Sequence, residues 1–143
     1  MSRFARSIRI AVPSADVWAA IVDVEAWPAW ASQFRSLERL DASPLAVGSR
    51  VRVTPKGMPG AVWRVTEYRE GLSFTWASSL LPGVRVTGGH PVAADGNDAT
   101  AEFWLEASGT LGMLLAPLLR RTVFSRNTRS ATEGLKSYME RPA

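Results

Sequence analysis

The spacing of apolar residues changes period along this chain, and that change limits the fold more than any other feature. Residues 4–10 alternate apolar and polar side chains, which is typical of a strand with one buried face. Helical spacing follows over residues 17–24, a period of two holds from Leu37 to Ala107, and helical spacing returns from Leu111 onward. The pattern therefore predicts one strand, short helices, a set of strands and a long final helix.

The strands of the central region are joined by short turns that leave no room for a helix. Glycine, proline and Asp/Asn clusters mark these turns, as at Pro82–Gly83 and Asp95–Asp98. Because parallel neighbours need a long crossover connection, the strands should form an antiparallel meander. With the first strand, they predict an α+β fold: a seven-stranded curved antiparallel sheet wrapped around a long C-terminal helix, as a single domain over residues 1–143. The six central runs are 37–40, 50–54, 61–68, 72–78, 84–92 and 99–107.

Two short helices are predicted between the first and second strands. Ser14 is placed to cap the first, with Asp16 in its first turn, where the helix dipole favours an acid. Pro28 interrupts the helical pattern and is expected to begin the second helix, which would run to Phe34. In the final helix, Pro117 predicts a kink or a late start.

Strand alternation identifies the side chains that share one face of the sheet. In the last strand Phe103 and Leu105 share the inner face, whereas Trp104 has the outward parity of an exposed or edge residue. Glu67 continues the parity of Trp63 and is expected at the mouth of this face. Such a face, curved around a helix, can close into a solid core or enclose a cavity. The other residues of inward parity are Val51, Val53, Val65, Leu72, Phe74, Trp76, Val84, Val86, Gly88, Ala101 and Ala107.

Composition excludes several classes of chemistry. With no cysteine, one histidine and scattered acids, the chain offers neither a thiol nucleophile nor a cluster of metal ligands. No nucleophile elbow or dinucleotide fingerprint occurs, so no cofactor is expected. The net charge is +4, but the basic residues are scattered, so nucleic acid is not an expected partner. The sequence has neither a signal-peptide core nor a bilayer-spanning stretch, which favours a cytoplasmic location.

His90 is the one side chain that ordinarily titrates near neutrality. If strand parity holds through Gly88, its ring faces inward, where it could transfer a proton or orient a ligand carbonyl. Gly89 and Pro91 flank it, however, and both favour a bulge or turn that would break the parity. A surface or structural histidine is therefore the favoured interpretation, and a catalytic His90 the alternative.

Two stretches of the chain resemble a known family. Residues 108–121 begin with a Gly-x-x-Gly, continue with leucines and end on two arginines. Residues 12–34 hold a strand-ending proline, a Val-Trp pair, an aspartate and a Trp-Pro-x-Trp turn, here Pro13, Val17, Trp18, Asp23 and Trp27 to Trp30. In these elements the chain resembles the polyketide cyclase/dehydrase and lipid-transport family, part of the START-like, birch-pollen-allergen-like helix-grip superfamily (SRPBCC). That superfamily includes transporters, ligand sensors and enzymes, so the resemblance specifies a fold rather than a function.

The resemblance implies a cavity between the sheet and the final helix that binds a hydrophobic small molecule, such as a lipid or a polyketide. Binding, transport or sequestration of that molecule is the leading interpretation. The alternative is a cyclase or dehydratase in which His90 or a carboxylate transfers protons. The residues expected to line the cavity are Trp30, Phe34, Trp63, Phe74, Trp76, Val86, Phe103, Leu105, Leu114, Leu118 and Thr122.

A third interpretation concerns the surface rather than the interior. Residues 111–129 combine the apolar run Leu111–Leu119 with four arginines. A basic amphipathic helix of this kind can contact a membrane surface transiently, or bind an acidic partner. Core packing of the leucines, with the arginines on a solvated face, is the simpler alternative. The arginines are Arg120, Arg121, Arg126 and Arg129.

Overall fold

Strands dominate the middle of the chain and one long helix ends it in the computed structural model, which describes residues 3–141. The final three helical segments follow one another without a break and are called the C-terminal helix. In chain order the elements are β1 (Arg3–Ile10), α1 (Ser14–Val22), a 3₁₀ helix (Val24–Ala29), β2 (Phe34–Arg39), β3 (Arg50–Pro55), β4 (Ala61–Arg69), β5 (Ser73–Leu81), β6 (Val84–Gly89), β7 (Val92–Asp95), β8 (Asp98–Ser108), α2 (Thr110–Leu119), a π-helical turn (Arg120–Phe124) and α3 (Ser125–Met139).

Seven strands form one continuous antiparallel path in the order β1-β8-β6-β5-β4-β3-β2, which confirms the predicted curved sheet. The predicted run 84–92 is divided, because β6 ends at Gly89 and the short β7 pairs only with β8. At the break, the His90 backbone N–H donates to the Phe74 carbonyl oxygen at 3.1 Å, and Pro91 has no N–H to continue a ladder. The flanking glycine and proline thus have the disruptive effect expected of them.

The two short helices lie between β1 and β2 as predicted, with different boundaries. The first begins at Ser14, but Pro13 occupies the cap position and no side chain caps the helix. The second is a 3₁₀ helix with Pro28 inside it, and Phe34 belongs to β2, so the predicted helix to Phe34 is wrong. A hydrogen bond joins this helix to α1: the buried Trp27 indole donates to the Ile21 carbonyl oxygen at 3.0 Å.

The C-terminal helix changes its winding just after Pro117. It begins at Thr110, before the proline, so the prediction of a late start is wrong and the irregularity is the π turn from Arg120 to Phe124. Because a π turn inserts one extra residue, it rotates the face that the helix presents to the sheet. Gly112 and Ala116 are buried before the turn, Phe124 is buried at its last residue, and Thr128 and Leu135 are buried after it.

Glu67 and Leu72 depart from strand parity, and Trp104 keeps its parity but differs in exposure. A bulge in β4 between Val65 and Glu67 exposes Glu67, and Tyr68 packs against the core instead. Leu72 lies in the turn before β5 and is exposed. Trp104 faces outward as predicted but is buried, because the Arg3 guanidinium covers its ring at 3.6 Å and Gly89 leaves space for the indole.

Candidate ligand cavity

A small cavity lies between the inner face of the sheet and the first turns of α3. Its volume is about 60 Å³, close to that of two water molecules in the liquid. Strands β2 to β5 and β8 supply an apolar wall, and α3 supplies the polar groups. The wall includes Trp27, Phe34, Val53, Trp63, Trp76, His90, Phe103 and Leu105, and α3 contributes Asn127, Thr128 and Ala131.

His90 occupies the centre of a cage of aromatic rings, so of the two favoured interpretations, a surface or a structural histidine, the surface one is wrong. The ring is 5% exposed. Its centroid lies 4.5 Å from Phe74, 5.1 Å from Trp27, 5.3 Å from Trp76 and 5.4 Å from Phe103. These four rings and His90 are called the His90 cage. The His90 ring therefore faces inward.

Burial fixes the protonation state of His90. Its Nδ1 lies 3.2 Å from the Phe74 carbonyl oxygen, which can only accept, so Nδ1 carries the proton and donates. Burial in the cage lowers the pKa of the imidazole to about 3, while the bond to Phe74 opposes this weakly. The ring is neutral near pH 7. Within residues 3–141, Nε2 has no hydrogen-bond partner and remains a potential acceptor.

The polar side of the cavity comes from α3, and the sequence prediction missed it. The Thr128 hydroxyl donates to the Phe124 carbonyl oxygen at 2.9 Å and accepts from Arg6 Nε at 3.3 Å. Gln33 Nε2 donates to the Asn127 carbonyl oxygen at 3.3 Å, and the buried Gln33 Oε1 has no partner in the described chain. The helical spacing of Phe124, Thr128 and Leu135 was the available signal.

The structure separates the predicted cavity residues into three groups. Phe34, Trp63, Trp76, Phe103 and Leu105 border the cavity. Trp30, Phe74 and Val86 are buried close by, without bordering it. Leu114, Leu118 and Thr122 do not face the sheet, and the expectation that they would is wrong: Leu114 is 76% and Leu118 59% exposed.

The physical reason lies in the small residues of α2. Gly112 and Ala116 are the residues of α2 that are buried against the sheet. A β carbon at Gly112 would lie 3.6 Å from the Gly83 carbonyl oxygen, so the backbones are close to contact there. Leu114 and Leu118, each two residues from a buried small residue, then point away from the sheet.

Carboxylates do not border the cavity among the described residues, which leaves His90 as its one titratable group. Glu70 is bound elsewhere, accepting hydrogen bonds from Trp18 Nε1 at 3.3 Å and from the Tyr68 hydroxyl at 2.5 Å. Burial, followed by these contacts with Glu70, raises the pKa of Tyr68 to about 12. Residues 3–141 hold no cluster of three or more potential metal ligands. No helix in this part of the chain is long and apolar enough to cross a membrane.

Comparisons with known proteins agree with this architecture. The family described as polyketide cyclase/dehydrase and lipid transport matches residues 1–140. No curated protein sequence matches the chain.

Similar solved structures include the following three. Ara h 8.0201 has a TM-score of 0.76 and 15% identity, with 96% of this chain and 97% of that chain covered. A START superfamily protein from Mycobacterium smegmatis has a TM-score of 0.71 and 14% identity, with 96% and 97% covered. One half of the di-domain ARO/CYC protein StfQ, from the steffimycin biosynthetic pathway, has a TM-score of 0.76 and 15% identity, with 96% and 50% covered. At these identities the likeness concerns the fold, and it confirms the predicted helix-grip architecture.

Proposed function

The chain belongs to the polyketide cyclase/dehydrase and lipid transport family, and from that premise we propose that it binds a flat, hydrophobic small molecule in the cavity beside the His90 cage. The observation that carries the proposal is the composition of the cavity wall. Indole and phenyl rings of Trp63, Trp76 and Phe103 line it, and the neutral His90 is the one titratable group at its surface. Aromatic walls favour stacking with an unsaturated ring system over enclosure of a long acyl chain.

Binding requires the cavity to enlarge. An apolar cavity needs on the order of 150 Å³ to hold a molecule the size of benzene, more than twice the volume present here. Trp63 is the side chain best placed to move. It is only partly buried, and it packs against both apolar clusters of the interior, with its ring 5.8 Å from Trp76. We infer that rotation of Trp63 opens the cavity, and that the ligand replaces the indole contacts.

The polar groups favour a ligand that carries a hydroxyl group. Neutral His90 offers the Nε2 lone pair, which accepts a hydrogen bond but cannot donate one. In an apolar cage such a bond is strengthened by the low dielectric, and a missing one is costly. A phenol or enol therefore fits the site better than an unsubstituted hydrocarbon.

Binding is favoured over catalysis because of the state of His90. A general acid or base works best when its pKa lies near the working pH, and the pKa of His90 is lowered to about 3. In this environment the imidazole is a poor proton carrier near neutrality. A cyclase or dehydratase remains the second candidate, and a turnover assay on a poly-β-keto thioester with His90→Phe decides it. A large loss of product in that variant would favour the enzyme.

The binding proposal is tested by isothermal titration with 2-naphthol and naphthalene, two flat probes that differ by one hydroxyl group. Wild-type protein should bind 2-naphthol about tenfold tighter, the usual value of one buried hydrogen bond. His90→Phe keeps an aromatic ring in the cage and should abolish that difference without weakening naphthalene. Val47→Ala, on an exposed loop, is the matched control and should change neither affinity. Absence of binding of both probes to wild type and to Trp63→Ala would disprove the proposal.

A further inference from the structure

Exposed leucines surround the start of the C-terminal helix, apart from the cavity. Leu111, Leu114 and Leu118 follow one another at spacings of three and four residues, so they form a stripe along α2. The turn between β5 and β6 packs beside them, since the Gly112 N–H donates to the Gly83 carbonyl oxygen at 2.9 Å. The last two residues of β5, the exposed Leu80 and Leu81, precede this turn and border with it an open groove of about 450 Å³. These five leucines are called the leucine surface.

The leucine surface concentrates the exposed apolar groups of the molecule. Eleven large apolar side chains are exposed among residues 3–141, and seven of them lie at positions 80–81 and 111–123. Scattered single leucines on a surface need no explanation, but a contiguous group marks a place of contact. Core packing, the simpler explanation of the Leu111–Leu119 run, therefore applies to Leu115 and Leu119 but not to Leu111, Leu114 or Leu118.

The net positive charge of the protein comes from two segments that contain the leucine surface. Residues 71–94 and 107–132 contain five arginines and no aspartate, glutamate or lysine. The remaining sequence holds 12 basic and 13 acidic residues (17 minus 5, and 13 minus 0), a balance of −1. The whole excess of +4 is thus contributed by the chain segments that form and flank the leucine surface. The five are Arg85, Arg120, Arg121, Arg126 and Arg129.

We propose that the leucine surface docks on an anionic lipid bilayer. Leucines inserted at the boundary of the acyl chains would release ordered water, and the arginines would bind headgroup phosphates. A second copy of the chain is disfavoured as the occupant, because an isologous contact would bring together two sets of segments that carry arginines and no acidic residue. This proposal goes beyond ligand binding and does not depend on it.

Vesicle co-sedimentation with the full chain tests the proposal. The probes are vesicles of phosphatidylcholine alone and of phosphatidylcholine mixed with phosphatidylserine. We expect binding to the mixed vesicles, several-fold weaker binding at high salt, and little binding to phosphatidylcholine alone. Leu118→Glu should weaken binding by at least about tenfold, because it removes one leucine that would insert into the bilayer and adds a negative charge facing anionic lipid. Arg121→Gln should weaken binding to the mixed vesicles only.

Val47→Glu is the matched control. Val47 is 64% exposed and Leu118 is 59% exposed, so both substitutions place a new charge on a similarly exposed apolar side chain. Equal loss of binding in the two variants would overturn the assignment to the leucine surface. Absence of binding to the mixed vesicles would overturn the proposal, and retention on polyglutamate in that case would indicate an acidic protein partner. If the wild-type chain forms concentration-dependent dimers and Leu118→Glu abolishes them, the proposal is overturned in favour of self-association. Unchanged thermal unfolding of Leu118→Glu shows that the fold is intact.

Discussion

The His90 cage and the leucine surface are both rich in large apolar side chains, yet they differ in what surrounds those side chains. In the cage, rings from the 3₁₀ helix, β5 and β8 converge on one imidazole from several directions. On α2 the leucines have sheet on one side only, and the contact with the sheet is made by Gly112 and Ala116. The comparison teaches that apolar composition does not decide burial. The number of elements that converge on a position does.

Trp27→Ala and Leu114→Ala test the contrast in burial between the two regions. Trp27 contacts Trp30, Phe34, Phe74, Trp76, His90 and Phe103 and is 2% exposed, so its truncation should cost about 3–5 kcal/mol of unfolding free energy. Leu114→Ala should change it by less than about 0.5 kcal/mol. Urea unfolding followed by circular dichroism measures both. Similar losses in the two variants would contradict the contrast.

Alanine substitutions at two glycines of the C-terminal helix compare a tightly packed position with a loosely packed one. A β carbon at Gly134 would overlap the carbonyl oxygen of Trp30, which is backbone and cannot move aside. Gly134→Ala should therefore destabilise the fold by about 1–3 kcal/mol, the range of overpacked cores. The β carbon of Gly112→Ala meets only ordinary contacts of 3.6 Å and gains helix propensity, so stability should rise by up to about 1 kcal/mol. Thermal unfolding distinguishes them, and a stable Gly134→Ala variant would refute the close approach of α3 to Trp30.

The pH dependence of stability tests the burial of His90. The unfolded chain binds a proton near pH 6.5, but the folded chain binds one only near pH 3. The contribution of neutral His90 to the free energy of unfolding is therefore fully present above about pH 6.5. It is lost as the pH falls below that value, with a slope that approaches about 1.4 kcal/mol per pH unit. His90→Phe should flatten this slope between about pH 5 and 6, since it removes the group that titrates. The Phe74 carbonyl still accepts from the backbone N–H of residue 90, so no buried acceptor is orphaned. Equal slopes of unfolding free energy against pH for the variant and the wild type would mean that the His90 imidazole is exposed to solvent.

The smallest expected effect concerns Trp104, which lies on the opposite face of the sheet from both regions. Its ring is covered by an exposed arginine, and a cation–π contact at such a site is worth about 0.5–1 kcal/mol. Arg3→Gln should reduce stability by that amount and shift the tryptophan fluorescence to the red. Arg9→Gln, on the same strand but paired with Asp98 at 2.9 Å, is the control and should leave the emission unchanged. Equal red shifts in both variants would contradict the proposed cover.

Local pattern in the sequence determined most of the architecture. The alternation in β8 assigned Phe103 and Leu105 to the inner face and Trp104 to the outer one, because side-chain direction in a strand follows from residue number alone. Gly89 and Pro91, which flank His90, predicted the break between β6 and β7, since neither residue favours a regular strand ladder. The motifs of residues 12–34 and 108–121 identified the family.

Only the tertiary structure decided how closely the elements approach one another. The apolar periodicity predicted neither the extra residue of the π turn nor the bulge at Val65, and the cover that Arg3 provides for Trp104 depends on a partner far away in sequence. The same holds for the cavity, whose volume of about 60 Å³ is the small space left between the curved sheet and α3. Periodicity fixes the direction of a side chain but carries no information on the distance to the opposite wall. For that reason the sequence predicted a lined interior, and the fold determined how little of it is empty.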